Sequence, residues 1–369
     1  MPSNTAAWFP AKYARLEVGP APSTAPATHE IVVRNHAIAI NPVDWAIPRL
    51  GGVGFGWIEP PTVLGSDVAG EVVEVGAEVS RFKVGDRVFG QALGASKARY
   101  GAAGGAFQTY TVLVDHMAAP IPDAMSYESA AVLPLGVSTA ACGLFQKDQL
   151  ALQHPSVPPK PTGKTLLVWG GSTSVGSNAI QLAVAAGYEV VSTASPRNFD
   201  YLRSLGASQV FDYNSKTVVA DIVAALKGKT VAGAIAIGQG STAPCFDIIH
   251  ACKGDKFVST ASGPIALDRL PERGGLTPSM ILTFVTSGVA MAIKARVQGI
   301  RTKFIFGDTL ADNDVGPMIY ADFLPKALAA GTYRAAPEPL VIGHGLHFIQ
   351  AAFDAQAKGV SARKIVVTL

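Results

Sequence analysis

The sequence predicts an α/β chain in two parts, a β-rich first portion followed by a doubly wound parallel sheet. Three observations carry that prediction. The apolar run Thr165-Leu166-Leu167-Val168-Trp169 turns on the small residues Gly171-Ser172-Thr173-Ser174-Val175-Gly176 into a helix-patterned segment. Strand-like and helix-like stretches then alternate as far as Thr260. The residues before about position 140 have another texture, with short Val/Ile/Gly stretches suited to antiparallel strands and turns.

Taken in order, Ile31 to Ile40 reads as a strand, and Glu71 to Val75 as another that Gly76 ends. The Pro-rich connection His154 to Pro161 resists helix and sheet and reads as an extended surface loop. Thr165 to Trp169 is a buried strand. Beyond Gly176, Ala179, Leu182, Ala183 and Ala186 recur near helical spacing, and Gly187 supplies a stop. Glu189 to Ser195 is a second strand, Asn198 to Leu205 a helix ended by Gly206, Gln209 to Phe211 a short strand and Val218 to Leu226 a third helix. Gly233 to Gly238 and Lys256 to Thr260 add two strands. This alternation implies a parallel sheet with helices on both faces. Ile281 to Ile293 is markedly apolar but short and dotted with hydroxyls for a membrane span, so a buried helix is expected, with a subunit contact as the alternative. Lys364 to Leu369 reads as a closing strand that returns to the first part. No internal repeat is visible.

A strand-turn-helix unit such as that at 165–176 is where a dinucleotide's pyrophosphate is expected to bind, because free helix-terminal N–H groups and the positive end of the helix dipole face the anion; the alternative is a plain strand-turn-helix unit, many of which hold two glycines and bind nothing. Thr173 stands where the middle glycine of G-x-G-x-x-G would be. The second strand ends Thr193-Ala194-Ser195-Pro196-Arg197, without the carboxylate that favours NAD. A hydroxyl and a guanidinium suit a 2′-phosphate, which points to NADPH; the alternative for Arg197 is a solvated residue at a helix start. Tyr213 can pack near the same ribose, and Gly238, at the end of a predicted strand, joins the cofactor set.

At 369 residues two domains are expected, and 49% hydrophobic with 15% charged residues suits a chain with a large buried core. The formal charge of +3 and the lack of a Lys/Arg stripe leave no footprint for nucleic acid. Met1 to Thr5 begins no secretory signal, and three cysteines (Cys142, Cys245, Cys252) suit a reducing compartment, so a cytosolic location without membrane attachment is expected. Cys245 and Cys252 read as core residues of one helix.

The order of motifs resembles a known family. Asn41-Pro42-Val43-Asp44, Leu64-Gly65-Ser66-Asp67-Val68-Ala69-Gly70, Phe82 to Gly90, Gly105 to Tyr110 and Leu133 to Ala140 succeed one another as in the medium-chain dehydrogenase/reductase superfamily. Along nearly the whole chain the sequence is similar to fungal concanamycin-induced-protein-type "zinc-binding" oxidoreductases. More distantly it resembles trans-acting enoyl reductases and quinone oxidoreductases. The resemblance implies a GroES-like β-rich partial barrel (1–140 and 310–369) and a Rossmann NADPH-binding domain (141–309). It places Asn41 and Asp44 beside the nicotinamide, Asn41 as a donor to a substrate carbonyl and Asp44 either there or holding local backbone geometry. Ser138 and Thr139 start a helix near the cofactor, with Thr139 the better catalytic candidate. Phe306 and Gly307 border the carboxamide, and Lys364 either meets the phosphates or is a plain surface residue. Relatives include dimers and monomers, so a homodimer is one expectation.

The residues argue against metal. Catalytic zinc takes Cys and His ligands with one open position. No cysteine precedes Cys142, and Gly65-Ser66-Asp67 replaces the Gly-His-Glu of zinc-binding members. His344 and His347 are spaced for one helix face, but Gly343 and Gly345 disfavour that helix. Ala46 stands where some quinone reductases carry Tyr and some trans-acting enoyl reductases Lys, so that position donates no proton. The expected activity is hydride transfer from NADPH to the β-carbon of an α,β-unsaturated carbonyl, free or bound to a polyketide carrier. A quinone or carbonyl reductase in detoxification is the alternative, and an NADPH-binding sensor or scaffold with little turnover is an alternative of another class. Trp45, Phe55, Trp57 and Met280 are candidate pocket residues, or ordinary packing.

Overall fold

The computed structural model describes residues 3–263, 267, 270–271 and 274–369. The chain divides into two compact units, one of Met1–Leu135, Leu267–Thr277 and Ala311–Leu369, the other of Gly136–Ala266 and Pro278–Leu310.

The first unit opens with β1 (Asn4–Phe9), β2 (Glu17–Ala21) and the long β3 (Glu30–Ala39), then helix α1 (Pro42–Leu50). β4 (Thr62–Val63), β5 (Asp67–Val75), β6 (Arg87–Gln91), β7 (Tyr110–Val114) and β8 (Ala118–Pro120) follow, then α2 (Tyr127–Ala131). Ile31, Val33 and, past a register shift, Ile38 of β3 are fully buried, as are Phe89 and Phe107 elsewhere in this unit. Helix α3 (Pro134–Phe145) leads into the second unit.

There, β9 (Thr165–Trp169), α4 (Ser174–Ala185), β10 (Glu189–Ala194), α5 (Phe199–Ser204), β11 (Gln209–Asp212), α6 (Val218–Ala225), β12 (Val231–Ala236), α7 (Thr242–Ala251) and β13 (Phe257–Thr260) alternate as the sequence reading expects. Helix α8 (Pro278–Val297) and β14 (Arg301–Phe304) complete the unit. The six strands are parallel in the order β11-β10-β9-β12-β13-β14, the order of a Rossmann sheet. Leu167, Val191, Ala234 and Val258 from the strands pack with Phe246, Ile248 and Ile249 of α7.

The chain then returns to the first unit. Helices α9 (Val315–Pro317) and α10 (Leu324–Ala329) flank a π-helical stretch, and β15 (Glu338–His344), α11 (Ile349–Ala357) and β16 (Arg363–Thr368) end the protein. β16 inserts between β15 and β3, giving a sheet of order β15-β16-β3-β5-β6-β8 with β7 also on β3. A smaller sheet, β2-β1-β4, accompanies it. These sheets form the GroES-like part.

Two expectations are corrected. The apolar stretch at 281–293 is not a buried helix: of the twenty residues of α8 only Ala295 is buried. The alternation of apolar and hydroxyl residues does fit a helix, but its apolar side has no interior to enter. Cys252 is not a core residue within a helix; it caps the end of α7 and is half-buried, whereas Cys245 is fully enclosed.

Candidate active site

In the second unit the turn after β9 is built for a close backbone approach. Gly170 has φ of +84°, the left-handed region that favours glycine. A Cβ on Gly176 would lie 2.3 Å from the Gly170 carbonyl oxygen, so only glycine lets α4 start so near the strand. Thr173, which breaks the glycine pattern, is the N-cap of α4: its Oγ1 accepts from the Gly176 N–H at 3.0 Å and donates to the Gly170 carbonyl at 2.8 Å. The N–H groups of Ser174 and Val175, in the first turn, have no carbonyl one turn back to bond. Ser174 Oγ is buried without a hydrogen-bond partner among the described residues. Terminal donors, an orphaned hydroxyl and a glycine floor fit an anionic group such as a pyrophosphate.

The other residues assigned to a cofactor in this unit lie at the C-terminal ends of the parallel strands or on α3. Ser195 follows β10 and its Oγ donates to the Tyr213 hydroxyl, which follows β11, at 3.3 Å. Arg197 is exposed and makes no ion pair with any described residue. Gly238 follows β12 with φ of +94°, its N–H donating to Ser262 Oγ at 2.8 Å. Gly307, beyond β14, packs on α3: a Cβ there would sit 2.9 Å from Thr139 Oγ1. Phe306 stays half-exposed, stacked edge-on against Phe304 at 5.1 Å, and Ser138 is fully buried. In an open parallel sheet this edge is where ligands bind.

The first unit holds a different device. Ala39 on β3 pairs with Asp67 on β5 and with Val366 on β16, so the exit of β3, the start of β5 and the start of β16 converge. There the Lys364 ammonium lies 2.8 Å from Asp67 Oδ2 and also donates to Asn41 Oδ1. Asn41 Nδ2 donates to the same Asp67 oxygen at 2.8 Å, and the Leu135 N–H donates to Oδ1 at 2.6 Å. Lys364, Asp67 and Asn41 are each 5% exposed or less. A buried carboxylate with three donors and a buried ammonium with two acceptors form a satisfied pair, which burial requires. Beside them Asp44, in the first turn of α1, accepts the Asn41 N–H at 2.7 Å. Burial pushes its carboxyl up to about 7, the Asn41 N–H opposing the rise and the nearby Asp67 charge adding to it.

Lys364 is therefore not a surface residue, as one reading of the sequence had it. The structure joins Asn41, Asp44 and Lys364 in one cluster and sets Thr139 with Gly307 in the other unit. Asp67 was absent from the site residues expected from sequence. Its signal was a lone carboxylate at the head of the apolar run Val68-Ala69, which has to find a buried cation. Among the pocket candidates, Trp45 is buried, its Nε1 donating to Gln356 Oε1 with Arg49 stacked over the ring. Phe55 and Trp57 pack together at 5.6 Å, and Met280 lies on α8. His344 ends β15, its Nδ1 near Thr368 Oγ1, while His347 lies in the next turn against Phe348.

Residues 27–123 match the alcohol dehydrogenase GroES-like domain. Over the full length of both proteins the chain is 52% identical to the dehydrogenase pigH of Monascus ruber. The chain belongs to the medium-chain dehydrogenase/reductase superfamily. Within this superfamily it is also 40% identical to the trans-enoyl reductase himH of Aspergillus japonicus, across 99% of this chain and 97% of that one. Its fold matches the crystal structure of the CurK enoyl reductase with a TM-score of 0.72, covering 100% and 99% of the two chains at 19% identity. The protein is thus an enoyl-reductase-like oxidoreductase.

Proposed function

We propose that this medium-chain reductase uses NADPH, without a metal ion, to reduce a carbon–carbon double bond conjugated to a carbonyl. The observation that carries the reading is the buried Lys364 ammonium, held by Asp67 and Asn41. The two oxygens that a cation would seek there already bind one, and it belongs to the chain. When bound, NADPH supplies the hydride. Negative charge then collects on the substrate carbonyl oxygen, where a fixed donor in a water-poor site stabilises it far better than water-facing groups do, and a proton taken up from water at the α-carbon completes the reduction. Asn41 has an amide N–H beyond the one spent on Asp67, and the ammonium beside it adds positive field. Alcohol oxidation needs an alkoxide, which a metal or strong base ordinarily stabilises, so this residue set favours the enone. The similarity to a trans-enoyl reductase supports the same substrate class, free or carrier-bound.

The preference for NADPH rests on Ser195, Arg197 and Tyr213. Ser195 and Tyr213 hydroxyls meet beyond the second and third strands, Arg197 makes no ion pair with a carboxylate among the described residues, and β10 ends without an acidic residue. Gly171, Ser172, Thr173, Ser174 and Val175 take the pyrophosphate in this reading.

Stopped-flow oxidation of NADPH and NADH with an enone, a quinone and an aldehyde tests the proposal, alongside elemental analysis. NADPH consumption with the enone, unaffected by chelation, is expected. Arg197→Ala should raise the KM for NADPH about tenfold or more with little change for NADH, the loss of one charge-assisted phosphate contact. Stoichiometric zinc whose removal abolishes turnover would sink the metal-independent reading.

A further inference from the structure

One side of α3 packs along the segment that follows β14. Thr139, Cys142, Gly143 and Gln146 stand at i, i+3, i+4 and i+7, so they share a face of the helix. Gln146 lies just past the last helical residue, but its N–H still bonds the Cys142 carbonyl at 3.3 Å. Against that face lie Ile305 to Thr309. Gly143 makes room for Ile305, since a Cβ there would sit 2.6 Å from Ile305 Cδ1, and Gly307 makes room for Thr139 in the same way. Each element thus omits a side chain where the other supplies one.

A ring of hydrogen bonds closes the contact. The Cys142 thiol donates to Gln146 Oε1 at 2.9 Å, Gln146 Nε2 donates to Thr309 Oγ1 at 2.8 Å, and Thr309 Oγ1 donates to the Phe306 carbonyl at 2.7 Å. That carbonyl lies 3.5 Å from the same thiol and also accepts the Thr309 N–H at 3.2 Å. Burial pushes the Cys142 thiol up to about 11, so it remains a donor at neutral pH. Cys142 and Gln146 are both buried, so a partner lost between them is not replaced by water. In a trans peptide the carbonyl and the following N–H point opposite ways. Fixing the Phe306 carbonyl toward α3 therefore turns the Gly307 N–H away from that carbonyl's partners.

We propose that Gln146 is a positioning residue for the nicotinamide: through Thr309 it holds the Phe306–Gly307 peptide in the one orientation against which that ring stands. The strand order supports the placement. A dinucleotide lies across the carboxyl ends of a sheet of this order, with one nucleotide on each side of the first strand. Here the pyrophosphate turn follows β9, and Ser195, Arg197 and Tyr213 lie on the side of β10 and β11. The nicotinamide half then belongs on the side of β12, β13 and β14, where residues 305–309 continue from the end of β14. The inference rests on the NADPH reading above and adds to it a residue that touches no reacting atom. Hydride transfer depends on a narrow range of approach, so a small displacement of the peptide beside the ring is costly.

Calorimetric titration of the full chain with NADPH and with 2′,5′-ADP, which carries the phosphorylated adenosine but no nicotinamide, tests this. Gln146→Leu removes the amide at similar volume, and Thr309→Val removes the hydroxyl at an exposed position. Each should weaken NADPH roughly three- to tenfold, the worth of one hydrogen bond, and leave 2′,5′-ADP binding as it was. Combining the two should cost no more than the larger single loss, because both break the same link. Thr309→Ser, which keeps the hydroxyl, should bind NADPH like the wild type. The fluorescence of bound NADPH, which reports the surroundings of the nicotinamide, should change in Gln146→Leu and Thr309→Val but not in Thr309→Ser. An equal loss for both ligands overturns the inference, since the ring would then be general packing support. A wild type that binds both ligands, with variants that match it, overturns the positioning role alone. A wild type that binds neither overturns the cofactor reading itself, and the inference with it.

Discussion

Asp67 shows at the level of single residues how much a buried charge depends on its partners. It accepts from Lys364, Asn41 and the Leu135 N–H while fully enclosed. Removing the ammonium leaves a buried carboxylate with only neutral donors, a change that typically costs about 3–5 kcal/mol. Lys364→Met should therefore destabilise the protein strongly in urea denaturation, and Asp67→Asn together with Lys364→Met should recover much of the loss. If the double variant is as unstable as the single one, charge pairing is not what holds this cluster. Asp44 behaves in the opposite sense. Its carboxyl is raised from 3.8 to about 7, so the folded chain binds that proton more tightly than the unfolded chain. Its contribution to stability is full below the unfolded value, falls as pH rises through the window between the two, and is lost above about 7. Asp44→Asn keeps an oxygen for the Asn41 N–H and removes the charge. Above neutral pH it should match or exceed the wild type, by roughly 1–4 kcal/mol at most. Identical pH profiles for the two proteins would show that Asp44 titrates normally.

At the scale of elements, the turn between β9 and α4 shows how far a motif can be read. The glycine spacing is imperfect, and the imperfection has a function: Thr173 caps the helix that a glycine would leave uncapped. Gly176 is the position that tolerates no change. Gly176→Ala drives a methyl to within 2.3 Å of the Gly170 carbonyl, so strand and helix must separate. We expect a lower melting temperature and NADPH affinity reduced about tenfold or more, read by calorimetric titration. Unchanged binding would mean that the pyrophosphate does not sit on this turn. The strands and helices from Thr165 to Thr260 follow the sequence reading within a residue or two, because apolar period and turn residues are local properties. α8 does not follow it. Hydropathy identifies an apolar helix but carries no information about what covers it.

The whole molecule depends on a return of the chain. β16, the last strand, lies between β15 and β3 rather than at a sheet edge, and it carries Lys364. Ending the chain after residue 362 removes an interior strand of that sheet, leaves β15 without its partner, and takes away the buried ammonium of the Asp67 cluster. Such a truncation should yield insoluble or non-cooperatively unfolding protein, whereas loss of an edge strand would be tolerated; a soluble product with a sharp thermal transition would contradict this.

Sequence alone was enough for the α/β class, the parallel sheet, the strand-turn-helix unit at 165–176 and the absence of an acidic residue after β10. Each is written in neighbouring residues, through periodicity, small side chains and the end of one strand. Only the tertiary structure decided that Asn41 and Lys364, 323 positions apart, share a buried carboxylate, and that the apolar side of α8 faces outward. The reason is that burial and charge pairing are properties of what the folded chain brings together across long separations, and no local pattern records which distant group arrives.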